Sequence, residues 1–229
     1  MLPAPATYRE AMSSIAVVGS AAALLVLAGC AMSAPGSGGA EPPSSAPSAP
    51  EAPLVTGPQA QALLAGLPTP SATEPALAIG TVLDRDGGQV LCLGPVAESA
   101  PPQCDGPDLV GWDWSLVDHQ EMSGVRWVQG IAAPVTYDAA SGTATVAGEL
   151  LDLASLTMPA IEYPTGDLDE AQVAAISEDL ATLDRPDLLG HGGMDGVVVL
   201  DVVLDDGSIQ AALDDIYGEG AVFVVSALR

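Results

Sequence analysis

The sequence predicts an α+β protein: a small antiparallel β meander or barrel-like domain followed by an α-β-α-β C-terminal unit. Three observations lead there. Between Leu77 and Ala147, short extended runs alternate with Gly, Pro and Asp turn signals. After Pro164 the apolar spacing changes to that of an amphipathic helix. Two β-branched runs, 196–204 and 221–228, then flank a second helical pattern. That is the spacing of a βαβ unit with parallel strands.

The chain begins with a different kind of segment. Ile15–Leu27 is a run of 13 apolar or small residues. A membrane-spanning helix needs about 20, so the run suits the core of a signal peptide. It ends in Leu27-Ala28-Gly29-Cys30, which resembles the lipobox of bacterial lipoproteins. The resemblance implies that residues 1–29 are a signal peptide, that a diacylglycerol joins the Cys30 sulfur, and that Cys30 is the mature N-terminus. It also implies a location at the outer face of the cytoplasmic membrane, lipid-anchored and extracytoplasmic. An ordinary signal peptide with an incidental Cys30 is the other reading. With Cys30 lipidated, Cys92 and Cys104 are the two thiols left in an oxidising compartment, and they are expected to pair as a disulfide. Metal ligation by the two is weaker, because no CxxC and no nearby His accompanies them.

Residues 30–75 read as a lipidated Cys and a disordered Ala/Pro/Ser/Gly tether, whose composition cannot bury enough apolar surface to offset its ordering entropy. A short helix at 58–67 is the one element expected inside it, and the folded part is expected to begin near Ala76. Residues 76–163 form the β-rich domain with the disulfide loop. Leu77–Asp84 and Gln89–Leu93 are strands joined by Arg85-Asp86-Gly87-Gly88 as a hairpin turn. Gly111-Trp112-Asp113-Trp114 starts an extended piece, with both Trp side chains on one face. Val125–Ile131, Val135–Tyr137 and Thr143–Ala147 are further strands, the last two joined across Ala139–Gly142.

Residues 164–229 form the α/β C-terminal unit. Asp167-Leu168-Asp169-Glu170 reads as a capping box, and Leu168, Ala171, Ala175, Ile176, Leu180 and Leu183 mark one helical face. His191-Gly192-Gly193 reads as a loop. Gly196–Leu204 is a strand covered on both faces. A helix follows with Ile209, Ala212, Leu213 and Ile216 as its buried stripe, and Ala221–Leu228 closes the unit as a second strand.

Composition excludes several functions. Thirty acidic residues face five Arg and no Lys, for a net charge of −25. Nucleic acid is therefore no partner, since phosphate binding requires clustered cations. Electrostatic docking on anionic lipid is excluded for the same reason. No HExxH, P-loop, GxGxxG or GxSxG motif is present, and the two His give no basis for a nucleophile triad. Asp84-Arg85-Asp86-Gly87-Gly88 starts like a calcium loop, but its Gly falls early and Pro95 stands where the terminal acid should be. No metal, cofactor or catalytic residue is assigned.

The most distinctive text is CLGPVAESAPPQC (Cys92–Cys104), with Gly106-Pro107 and Gly111-Trp112-Asp113-Trp114 after it. It resembles a CLGxVxxSxPPQCxGP…GWDW motif of uncharacterised actinobacterial secreted lipoproteins, and the likeness covers about residues 77–229. It implies a shared fold and location, and no activity. Two functional expectations follow. The first is a non-enzymatic, membrane-anchored envelope lipoprotein, a binding or assembly module. The second is a cell-wall glycan binder or hydrolase that uses a Trp112/Trp114 face, with Asp113, Glu98 or Gln103 bonding sugar hydroxyls. Envelope protein or wall glycan would be the partner in either case. Asp201, alone in its apolar strand, is read as an edge-facing carboxylate or one paired with Arg126 or Arg185; a general acid or base role is the alternative.

Overall fold

Fourteen-residue strands at Ala72–Arg85 (β1) and Val125–Asp138 (β5) pair antiparallel along most of their length and form the spine of the molecule. They belong to a computed structural model that describes residues 53–229. The expected signal peptide, Cys30 and half of the expected tether, residues 30–52, lie outside the described residues.

β1 returns through a two-residue turn into β2 (Gly88–Cys92), with Arg85 opposite Gly88. Asp86 and Gly87 take φ of 57° and 79°, the left-handed pair that matches strand twist in a tight hairpin. β2 touches β3 (Asp108–Val110), which runs parallel to β6 (Thr143–Val146). β6 pairs antiparallel with β5, and β5 with β1, so five strands close into a ring. A short β4 (Gln120–Met122) extends the sheet from β5. Of the expected meander or barrel-like domain, the barrel is the form observed, with one parallel closure, β3 on β6. The long disulfide loop permits it by carrying the chain across the ring between β2 and β3.

β5 is one strand where two were expected. Pro134 is tolerated within it because its fixed φ is compatible with an extended chain, and its carbonyl still accepts the Ala147 N–H. The register slips opposite Gly80/Thr81, where Gly130 (φ 68°) is the extra residue of a bulge.

The C-terminal part is a three-stranded sheet, β7 (Leu188–Met194), β8 (Val197–Val202) and β9 (Val222–Ser226). β8 and β9 are parallel and joined by α3 (Ser208–Tyr217), the expected βαβ unit. His191-Gly192-Gly193 is not a loop. It lies within β7, antiparallel to β8, with His191 opposite Leu200. Glycine serves there because α2 (Glu170–Leu180) passes close: a Cβ on Gly193 would stand 2.3 Å from Cγ1 of Val173. The capping box of α2 sits two residues later than expected. Asp169 Oδ1 accepts the Gln172 N–H, and Gln172 Oε1 accepts the Asp169 N–H, each at 2.9 Å.

The two faces of β8 divide the interior. Val198, Leu200 and Val202 point to a core shared with Ile176 and Leu180 of α2 and with Ile209, Leu213 and Tyr217 of α3. Ala60, Leu64 and Leu67 join that core from α1 (Pro58–Leu64) and the residues after it. The expected start of the folded part near Ala76 is therefore corrected: α1 is already packed structure, and Ala76 lies inside β1. Burial of these three apolar side chains offsets the entropy of ordering this segment. Arg185 secures the connection by donating to the carbonyls of Leu67 and Pro68. The barrel core (Val82, Leu91, Ile131, Val135, Tyr137) also takes in Val203 and Leu228, so barrel and sheet share an interior. Residues 53–229 accordingly fall within one compact unit.

Candidate functional site

The disulfide and the two tryptophans are part of the framework. Cys92 and Cys104 are joined, with Cα atoms 5.7 Å apart and a sequence separation of 12. Trp127 packs with this bridge, together with Leu83. The Trp112–Trp114 pair occupies the barrel core instead.

The segment carrying Trp112 and Trp114 is not extended as expected. Gly111 (φ 81°) turns the chain after β3, and Asp113 caps a single 3-10 turn, Trp114–Leu116, by accepting the Ser115 N–H at 2.8 Å. Hydrogen bonds from Ser115 hold the Asp113 carboxyl below its usual value. The chain bend sends both rings inward. They meet edge to face at 5.8 Å, and 8% and 9% of their surface remains exposed. The Arg126 guanidinium covers Trp114 at 5.1 Å while pairing with Asp84, and His119 meets the same ring at 5.2 Å. Sugar stacking needs a free ring face, so the expected Trp112/Trp114 platform is not presented. Glu98 and Gln103 lie in the disulfide loop, where the Gln103 carbonyl accepts the Ala97 N–H and neither side chain bonds the Trp segment.

A cavity opens on the surface elsewhere, where β1, the chain after β2, the segment 158–163 and the C-terminal sheet converge. Its volume is about 460 Å³, within the range of small-molecule sites. Leu77 and Ile79 of β1, Leu93, Ile161, Leu189 and Val225 give it apolar walls. Asp201 enters it from β8. Because β8 is the central strand of its sheet, Asp201 is not at an edge. It is not paired with an arginine either: Arg126 pairs with Asp84, and Arg185 with Asp187. Half-buried and without a hydrogen-bond or ion-pair partner among the described residues, Asp201 has its carboxyl pushed above its ordinary value by burial.

Neighbouring polar groups are committed to the backbone. Ser226 Oγ donates to the Leu228 carbonyl at 2.8 Å and accepts the Asp205 N–H at 3.0 Å. The Arg229 backbone exchanges two hydrogen bonds with Leu77, which closes one side of the cavity. Among the described residues no group of three His, Cys, Asp or Glu is arranged to hold a metal ion, and no helix is long and apolar enough to cross a membrane.

Sequence reasoning singled out Asp201 by its interruption of an apolar run. It missed the cavity, because the walls come from residues up to 150 positions apart whose apolar character is also that of ordinary core. No family model matches this chain, and no curated protein and no solved structure matches it.

Proposed function

We propose that this chain is a non-enzymatic, membrane-anchored envelope lipoprotein. In this reading a lipid on Cys30 holds it at the outer face of the cytoplasmic membrane, and residues 53–229 act as a binding module. The observation that carries the binding role is the cavity at Asp201: apolar walls, the Asp201 side chain, Arg229, and a serine whose hydroxyl is already engaged on both sides. Such a surface can hold a ligand. It offers no activated nucleophile, and general acid–base work at a glycosidic bond requires a second carboxyl group placed opposite the first. The anchor rests on Leu27-Ala28-Gly29-Cys30 and the apolar run before it, and the likeness to actinobacterial lipoproteins supports the same location.

The glycan reading loses its main support with the burial of Trp112 and Trp114. The test is incubation of the full chain with purified cell wall and with membrane extract. Retention without release of soluble wall fragments is expected. Turnover of wall glycan that disappears in Asp201→Asn or Asp113→Asn would replace this proposal with the hydrolase reading.

A further inference from the structure

Asp201 is an anomaly of placement. A carboxylate on the central strand of a sheet, facing an apolar cavity, costs free energy unless something compensates its charge. The fold spends its other interior acids on internal partners. Asp179 accepts from Gly57, Gln61 and Tyr217; Asp187 pairs with Arg185; Asp84 pairs with Arg126. Asp201 has no such partner among the described residues, and Arg229, although it also lines the cavity, makes no ion pair with it.

The surroundings favour one ligand chemistry. Apolar side chains from β1, the chain after β2 and the C-terminal sheet would take a hydrocarbon body, and Asp201 would take a positive head. Tyr163 lines the same cavity, its ring packed edge to face on Phe223 at 6.0 Å. Phe223 is the cross-strand neighbour of Val199, one diagonal from Asp201. Aromatic faces attract the same sign of charge that the carboxylate does. The net charge of −25 would concentrate cations around the molecule and disfavour anionic ligands.

We propose that the cavity at Asp201 is a binding site for a hydrophobic amine, a ligand with an apolar body and a cationic nitrogen that pairs with the Asp201 carboxylate. Burial pushes this carboxyl upward, and a cation paired with it would restore the charged form. The inference rests on the reading of residues 53–229 as a binding module and names the ligand class.

The test uses the purified full chain carrying Cys30→Ala, so that no lipid competes for apolar surface. Hexylamine, hexanol and hexanoate are titrated in parallel and followed by NMR at Leu189, Asp201 and Val225. Hexylamine should bind about tenfold more tightly than hexanol, the margin expected of one ion pair on an otherwise common hydrocarbon. Hexanoate should be the weakest, and the preference for amine should shrink as salt is added. Asp201→Asn, nearly isosteric and losing no internal hydrogen bond, should bring amine and alcohol to similar affinity. The amine–alcohol comparison on the unaltered cavity stands even if that variant folds poorly. Equal binding of amine and alcohol, preference for the carboxylate, an amine preference that survives Asp201→Asn, or no response at these residues would each overturn the inference. Retention on cell wall or membrane extract together with any of those results would leave the binding-module reading intact and reject the ligand class alone.

Discussion

Asp179 holds the start of a helix whose N-cap, Gly57, lies 122 residues before it. Both of its carboxylate oxygens accept the backbone N–H of Gly57, at 3.0 and 2.9 Å. Gly57 is the N-cap of α1, and Asp179 accepts its N–H as the N3 side chain of a capping box would. The same carboxylate accepts from Gln61 at 2.9 Å and lies 3.5 Å from the Tyr217 hydroxyl, which joins α1, α2 and α3 at one buried point. The negative charge raises the tyrosine further above its ordinary value, after burial itself.

Asp179→Ala should therefore unfasten α1 as well as leave donors unpaired. Loss of charge-assisted hydrogen bonds at a buried site costs about 2–3 kcal/mol. Urea unfolding followed by circular dichroism should show a lower midpoint, and hydrogen exchange should show faster exchange in Ala60–Leu64. An unchanged midpoint would mean that α1 contributes little to the core.

The disulfide should behave as a constraint on the unfolded chain. Alkylation without reductant should leave Cys92 and Cys104 unmodified in an intact-mass measurement. Replacing both with Ala should lower stability by about 3 kcal/mol, the loop-entropy value for a closure of this size. Two alkylated thiols in the untreated protein would contradict the bond.

Gly106 should not tolerate a side chain. A Cβ there would lie 2.0 Å from the Leu91 carbonyl oxygen, a backbone atom that cannot step aside as a side chain would. Gly106→Ala should cost about 1–3 kcal/mol, in the range of overpacking. A thermal melt unchanged from that of the parent would show that the segment after the disulfide is looser than its contacts indicate.

The pH dependence of Asp201 has a definite sign. Burial raises its carboxyl in the folded state, so the folded protein holds that proton more firmly than the unfolded chain. The charged form is thus a burden at neutral pH, relieved as pH falls through the raised value and absent below the ordinary value of 3.8. Without ligand, Asp201→Asn should melt higher than the parent at neutral pH, and the gap should close as the pH falls below that ordinary value. A variant that melts lower at neutral pH would reveal a stabilising partner for the carboxylate.

The anchor proposal predicts a change of compartment. Cys30→Ala should move the protein from the membrane fraction to the soluble exported fraction, read by fractionation and immunoblot. Persistence in the membrane would reject lipidation at Cys30.

What the sequence determined by itself was local. Asp86-Gly87 specified a tight hairpin because few residue pairs accept two successive positive φ angles. The apolar spacing of 209–216 specified α3, and two β-branched runs around it specified parallel strands. An odd number of cysteines, with one assigned to lipid, pointed to the bond between the other two. Tertiary structure alone decided which of these pieces would meet. The closure of β3 on β6 and the capping of α1 by Asp179 depend on pairings whose free energy is absent from any short window of sequence. The burial of Trp112 and Trp114 likewise depends on tertiary packing: the rings fill a barrel interior lined in part by small side chains such as Ala78, Ala133 and Ala144. His191–Gly193 became strand for a related reason, since its glycines carry no strand propensity but allow α2 to approach, and β8 supplied the partner. Asp201 combines both kinds of information. Its interruption of an apolar run was visible in the sequence, whereas the absence of a partner emerged only when the fold had committed Arg126 and Arg185 to other acids.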